Sequence, residues 1–242
     1  QGSWCGNNSM AFLIEGTGSR MAIAFDGDSS RAPTLHIEFD ETSSPDGCFN
    51  EILGIPIADD DDDGNQGGDS DNHKFNNWQS LYLGDEGYMS GGHDVDAVGL
   101  RFQGIMVPPD AEIESARIVF TAKDPNDLGT LRDLNITISG EKVGNAMQFE
   151  GGNSHEITDR DKTTASVSWT SPVDAWNVED EQVFTPDLKD IIEEIIGQTG
   201  ADGWDKGNAM GFIFEGTGRA VAWQFDEAPT KAPVLQIKFS GE

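Results

Sequence analysis

The chain has 242 residues, with 15 Lys plus Arg against 44 Asp plus Glu and a formal charge of −29. That balance excludes nucleic acid and anionic membrane as partners, because both would be repelled. It suits a cation-rich medium in which divalent ions relieve self-repulsion, or plain solubility. No apolar run reaches the ~20 residues a membrane helix needs, and no leader is legible, so export implies processing ahead of Gln1. The 29 glycines and the short runs of Val, Ile, Thr and Phe imply many short strands joined by turns.

The first 40 residues are a repeat. Asn8-Ser-Met-Ala-Phe-Leu-Ile-Glu-Gly-Thr-Gly18 reappears as Asn208-Ala-Met-Gly-Phe-Ile-Phe-Glu-Gly-Thr-Gly218. Ala32-Pro33-Thr-Leu35-His-Ile37-Glu-Phe39 reappears as Ala232-Pro233-Val-Leu235-Gln-Ile237-Lys-Phe239, and Trp4 matches Trp204. The offset is 200 throughout, without a gap, so the segment is duplicated. Each copy reads as three strands. In the first copy they are Met10 to Glu15, Met21 to Phe25 and Thr34 to Phe39. The first two flank Gly16-Thr17-Gly18, read as a turn whose glycines reach positive φ. In the third, Leu35, Ile37 and Phe39 alternate with polar residues. Such a piece exposes an apolar face and unpaired edges.

Residues 41–72 read as an acidic linker. Cys48 and Cys5 are the only cysteines. An even, sparse count in an acidic, exported chain implies one disulfide, which would stabilise by roughly 4 kcal/mol on the chain-entropy account. The alternative is two free thiols in a reduced protein. The linker contains Asp59, Asp61, Asp63 and Gly64, the start of a D-x-D-x-D-G calcium loop. Alternate carboxylates there converge on one ion, and glycine permits the sharp turn. The closing Glu of such loops is absent and no helices flank the run, so Asn65 with Asp69 or Asp71 is expected to complete the shell. The competing reading is a flexible acidic linker.

Residues 73–242 read as a β-sandwich. Strands are expected over Ser80–Leu83, Val98–Val107, Ala116–Ala122, Leu134–Ser139 and Ala165–Trp169, with turns at Pro108-Pro109-Asp110 and Asp124-Pro125-Asn126-Asp127. Asp85, Glu86, Asp94 and Asp96 form a second, weaker metal candidate in a Gly-rich loop. One helix is expected, with Thr185 as N-cap, Pro186 first and Asp187 meeting the dipole. Leu188, Ile191, Ile192, Ile195 and Ile196 form its apolar stripe and Gly197 ends it, making it a covering element of the core. The fold expected is therefore all-β, a jelly-roll-like sandwich with one short helix.

Val98-Gly-Leu-Arg-Phe102, Pro108-Pro-Asp-Ala-Glu-Ile-Glu-Ser-Ala-Arg-Ile-Val-Phe120, Thr185-Pro-Asp-Leu188 and Gly203-Trp204 leading to Gly216-Thr-Gly218 resemble secreted bacterial β-sandwich modules. These occur in tandem in large surface proteins and are related to DNRLRE-type and carbohydrate-binding jelly rolls. The resemblance covers about two thirds of the chain. It implies the fold, and a role as spacer, adhesin or sugar binder.

No nucleophile elbow, zinc spacing or phosphate loop is present, so no catalytic residue is expected. Trp78 and Trp204 are candidates for sugar stacking, whereas Trp169 and Trp223 lie in apolar strand patterns and read as core. Two sequons, Asn7-Asn-Ser9 and Asn135-Ile-Thr137, are of a kind that recurs by chance. The first copy has no domain before it, which leaves three readings: a processed piece of a tandem array, a second hairpin within one duplicated sandwich, or a segment that completes a neighbour by strand addition. Its apolar residues Phe12, Ile14, Ile23, Phe25, Leu35, Ile37 and Phe39 would carry that contact. The expectation is an extracellular structural module of a filament, fibre or adhesin, self-assembling head-to-tail or in tandem and stabilised by calcium. The alternative is a carbohydrate-binding module.

Overall fold

The computed structural model describes residues 53–67, 75–76, 80–84, 95–123, 131–151, 154–200 and 202–240, and singly residues 17, 21, 22 and 33. The chain forms two units, Gln1–Cys48 and Phe49–Glu242. The fold described here is that of the second.

Its strands are β1 (Leu53–Pro56), β2 (Asp63–Gly67), β3 (Phe75–Asn76), β4 (Leu81–Leu83), β5 (Val95–Phe102), β6 (Glu112–Thr121), β7 (Arg132–Glu141), β8 (Lys162–Ser171), β9 (Gln182–Phe184), β10 (Met210–Ala222) and β11 (Val234–Ser240). One helix, α1 (Lys189–Ile196), lies between β9 and β10. The smaller sheet runs β1-β11-β6-β9. The larger runs β3-β2-β5-β10-β7-β8, with β4 also on β10. The strand pairings are antiparallel. The protein is thus an all-β sandwich with one short helix, as its alternating patterns require.

The core lies between the sheets. Phe120 of β6 stacks on Trp169 of β8 at 5.8 Å and meets Phe214 of β10 edge-on at 5.5 Å. Trp176 fills the adjoining space, its indole N–H donating to Ser171 Oγ at 2.9 Å. The helix buries Ile191, Ile192, Ile195 and Ile196. It presses so close to β7 that a Cβ on Gly140 would sit 2.6 Å from Ile191. The Glu194 carboxylate accepts from the Thr164 and Ala165 amides of β8 at 2.9 and 2.7 Å, fastening the helix to that strand. No helix among the described residues is long and apolar enough to cross a membrane.

Several expectations are corrected. The second copy contributes two strands, not three: Gly216-Thr217-Gly218 is no hairpin turn. β10 runs straight through it and breaks register against β7 between Thr217 and Arg219. The glycines do adopt positive φ, 148° and 114°. The cause is steric: a Cβ at either position would lie 2.4 Å from a carbonyl oxygen of β7, Asn135 for Gly216 and Asp133 for Gly218. The pair therefore makes a bulge, which adds twist without reversing the chain. The helix starts at Lys189 because Thr185 is already committed, its Oγ1 accepting from the Ile118 amide at 2.9 Å. Leu188 is the N-cap residue, and the preceding Asp187 accepts from the Lys189 amide at 3.0 Å and from the Ala116 amide at 2.9 Å. The boundary at residue 73 also fails. β1 and β2 belong to the sandwich, β1 pairing with β11 and β2 with β5, so residues 53–67 are no linker.

Gly218→Ala should expose the bulge constraint. The strained φ and the clash with β7 are expected to destabilise by about 2 kcal/mol or more. Thr217→Ala, at the exposed tip of the same bulge, should stay within about 0.5 kcal/mol. Thermal melts of the two variants check this. Equal melting temperatures would show that the chain does not need glycine there.

Candidate metal centre

The acidic run lies in the connection from β1 to β2, and the fold divides it in two. Asp59, Asp60 and Asp61 turn toward solvent, Asp60 exposed and the others half-buried. Each offers a carboxylate oxygen within 4.8 Å of the others. The turn is closed by the Asp62 amide donating to Asp59 O at 3.2 Å. The loop between β7 and β8 backs it: Gln148 Nε2 donates to Asp59 Oδ1 at 3.1 Å and the Phe149 amide to Asp61 O at 3.2 Å. Arg160 braces that loop, donating to Glu141 Oε2 at 2.8 Å and to the Met147 and Gln148 carbonyls at 2.7 and 3.0 Å. Its guanidinium lies 4.1 Å over the Phe149 ring. A hydrogen bond shared with Asp60 holds Asp59 below the usual carboxylate range. The same bond, then partial burial and the charges of Asp61, Asp59 and Asp226, raise Asp60. Three crowded carboxylate oxygens suit a hard cation, which would relieve that repulsion.

Asp62 and Asp63 turn inward instead. Asp62 is fully buried and pairs with Arg101 of β5 at 2.6 Å, while Gln103 donates to its second oxygen at 2.5 Å. Asp63 is also fully buried. Its Oδ2 accepts from the Phe225 amide at 3.0 Å, and its carbonyl accepts from Gln224 Nε2 at 3.0 Å. Among the described residues, Asp63 Oδ1 and Gln224 Oε1 have no hydrogen-bond partner. Burial pushes the Asp63 carboxyl up to about 8, against the lowering by the Phe225 amide, and Asp226 and Asp62 add repulsion. Burial thus favours the protonated form of Asp63, whose hydroxyl would be a donor beside the Gln224 carboxamide.

The expected calcium shell is thus only partly assembled. Asp59 and Asp61 come together with Asp60, which the alternating pattern passed over. Asp63 and Asn65 are elsewhere. Asn65 is buried, donating to Ser80 O and accepting from the Tyr82 amide, each at 2.8 Å, so it holds β4 in place. Gln66, unnoticed in the sequence, does the same for the loop before β8: its Oε1 accepts from the Ile157 and Thr158 amides at 2.9 and 3.0 Å. Asp96, of the second metal candidate, lies on β5 and accepts from Gln66 Nε2 at 3.2 Å. The other positions named for sites or contacts (Asp69, Asp71, Asp85, Asp94, Cys5, Cys48, Trp78, Phe12, Ile14, Ile23, Phe25, Leu35, Ile37 and Phe39) lie outside the described residues.

Trp204 is no sugar platform. It is buried and its indole N–H donates to Val107 O at 2.9 Å. Trp169 is core as expected. Trp223 is not: it is half-buried at the end of β10, with Lys231 and Lys123 ammonium groups 4.4 and 4.9 Å from its ring. No protein-family model matches the chain, and no curated protein matches it significantly.

The Asp63 carboxyl makes a prediction about pH. Its folded value, about 8, lies above the ordinary 3.8, so the folded state holds the proton more tightly than the unfolded chain. The stability this confers is present in full below the unfolded value and is lost as pH rises toward 8. Asp63→Asn keeps the shape and removes the titration. Its melting temperature should exceed that of the parent at pH 8 and fall less between pH 5 and 8. Parallel declines in the two proteins would show that Asp63 does not titrate in this range.

Proposed function

We propose that the chain is a non-catalytic structural module of an extracellular surface array or filament, in which residues 1–40 close a sandwich other than Phe49–Glu242. One observation carries this reading. The second copy supplies β10, interior to the larger sheet, and β11, interior to the smaller one. The strands that the repeat encodes are therefore already in place in Phe49–Glu242.

The first copy nonetheless keeps what those strands need. Trp4, Met10, Phe12, Ala22, Ala32, Leu35 and Ile37 match Trp204, Met210, Phe212, Ala222, Ala232, Leu235 and Ile237, all buried. Gly16 and Gly18 match the two bulge glycines. Met21 is 99% exposed, whereas its counterpart Val221 is 1% exposed. At ~25 cal/mol per Å² of apolar area, burying the seven apolar side chains Phe12, Ile14, Ile23, Phe25, Leu35, Ile37 and Phe39 contributes on the order of 10 kcal/mol before ordering costs. That suffices for non-covalent assembly. The partner is a neighbouring subunit, reached by strand addition, or an adjoining tandem repeat. The charge of −29 and the resemblance to tandem surface modules support an extracellular setting, in which Cys5 and Cys48 would pair as a disulfide. Calcium at Asp59–Asp60–Asp61 would stabilise the module. The burial of Trp169, Trp176 and Trp204 gives the carbohydrate-binding alternative less support.

Deleting residues 1–40 is expected to leave a folded, soluble monomer with the full chain's cooperative thermal transition, as sedimentation and a thermal melt would register. A truncated chain that fails to fold would place the first copy in its own domain's core instead. Calcium at a hundredfold excess over its dissociation constant should add about 2.7 kcal/mol. Asp59→Asn with Asp61→Asn should abolish that gain, and a melting temperature insensitive to chelator at fixed ionic strength would remove calcium from the proposal.

A further inference from the structure

We infer that the sandwich closed by residues 4–39 is related to residues 49–200 in architecture but differs from them in sequence, so that the partner is a non-identical repeat or subunit and not a second copy of this chain. The inference rests on the reading of residues 4–39 as a closing segment and specifies what it closes.

The two copies differ at a few places that contact the body directly. Most core positions are identical or conservatively changed, as in Leu13 for Ile213 and Ile14 for Phe214. Three differences are incompatible with this body. Arg20 stands where Ala220 is 0% exposed and paired with Leu83 of β4, so a guanidinium would be forced into the core. Ala24 stands where Gln224 donates to Asp63 O at 3.0 Å, so that carbonyl would lose its partner. Glu38 stands where Lys238 pairs with Glu114 at 2.5 Å, so attraction would become repulsion. A buried charge without a partner is strongly disfavoured, and a half-exposed like-charge pair opposes the fit more weakly. The fitting body therefore has a small or acidic residue where this one has Leu83, a basic residue where it has Glu114, and another donor for the backbone carbonyl in the place of Asp63 O.

The chain truncated after Gly200 tests this, because it keeps the first copy and vacates the position. The reach is short. Ile37 in the place of Ile237 would lie opposite Leu53, with residues 38–52 joining adjacent antiparallel strands. The readouts are a cooperative thermal transition and the near-ultraviolet dichroism of buried Trp169 and Trp176, with the full chain as reference. Residues 1–200 are expected to lose both signals. The same truncation carrying Arg20→Ala, Ala24→Gln and Glu38→Lys is expected to regain them. If the unsubstituted truncation folds as the full chain does, the first copy fits its own body and the inference is overturned, while the closing-segment reading stands. If neither truncation folds, the first copy is no closing segment for such a body, and both readings fall.

Discussion

Both sheets of this sandwich depend on one constraint: each has an interior strand that comes from the last forty residues. β10 pairs with β7 along most of its length, while on its other side the partner changes from β5 to β4. The bulge at Gly216-Thr217-Gly218 lies just before that change, and its added twist accompanies the strand from one partner to the next. β11 then crosses to the other sheet and separates β1 from β6. Without these two strands β1 and β2 would have no continuous connection to the helix-bearing half. A core that closes this late consists largely of long-range contacts, the kind that makes β topologies slow to form.

The polar interior follows from the same geometry. β2 is entirely buried yet reads Asp63-Gly-Asn-Gln-Gly. Buried polar groups survive only when hydrogen-bonded, and here each faces backbone from a different segment. Asn65 serves β4, Gln66 the loop before β8, and Asp63 the exit of β10. The strand acts as a set of clamps for segments that have little apolar surface of their own. Asp63 is the least satisfied of these clamps, and it meets Gln224 and Phe225, residues of the closing segment itself. The tension in the carboxylate is thus located where the fold is completed.

The duplication, the all-β character and the isoleucine stripe of α1 were legible in the sequence because each depends on local periodicity or on identity at a fixed offset. The acidic run was not. A row of five aspartates carries no local sign that the first three meet solvent while Asp62 and Asp63 are buried. That division is made by Arg101, Gln103 and the Phe225 amide, all remote in sequence. The Gly-Thr-Gly element misled for a related reason. Positive φ was correctly expected, but turn and bulge share that requirement, and only the approach of the β7 backbone decides between them. Trp204 shows the same limit. A tryptophan near a glycine-rich loop reads as a surface platform until the Val107 carbonyl that receives its N–H is known.

Two near-equivalent segments in one chain raise a problem of folding order. The first copy is synthesised before the body, and the second only after it. If the copies were interchangeable, the earlier one would reach the open positions beside β5, β7, β1 and β6 first, and the later would be displaced. Sequence divergence answers this where it is cheapest. The residues needed by any closing segment are shared: the core apolar side chains and the two glycines that pass β7. The residues that decide which body is closed are not. Arg20 against Ala220 sets an unpaired buried charge, on the order of several kcal/mol, against capture by the chain's own body. Glu38 against Lys238 adds repulsion from Glu114 at the far end of the same segment. A difference of a few kcal/mol exceeds what is needed for near-complete discrimination, since each ~1.4 kcal/mol is a factor of ten. On the reading proposed for the first copy, shared core and divergent contacts together would let one architecture be repeated while each closing segment finds a particular body.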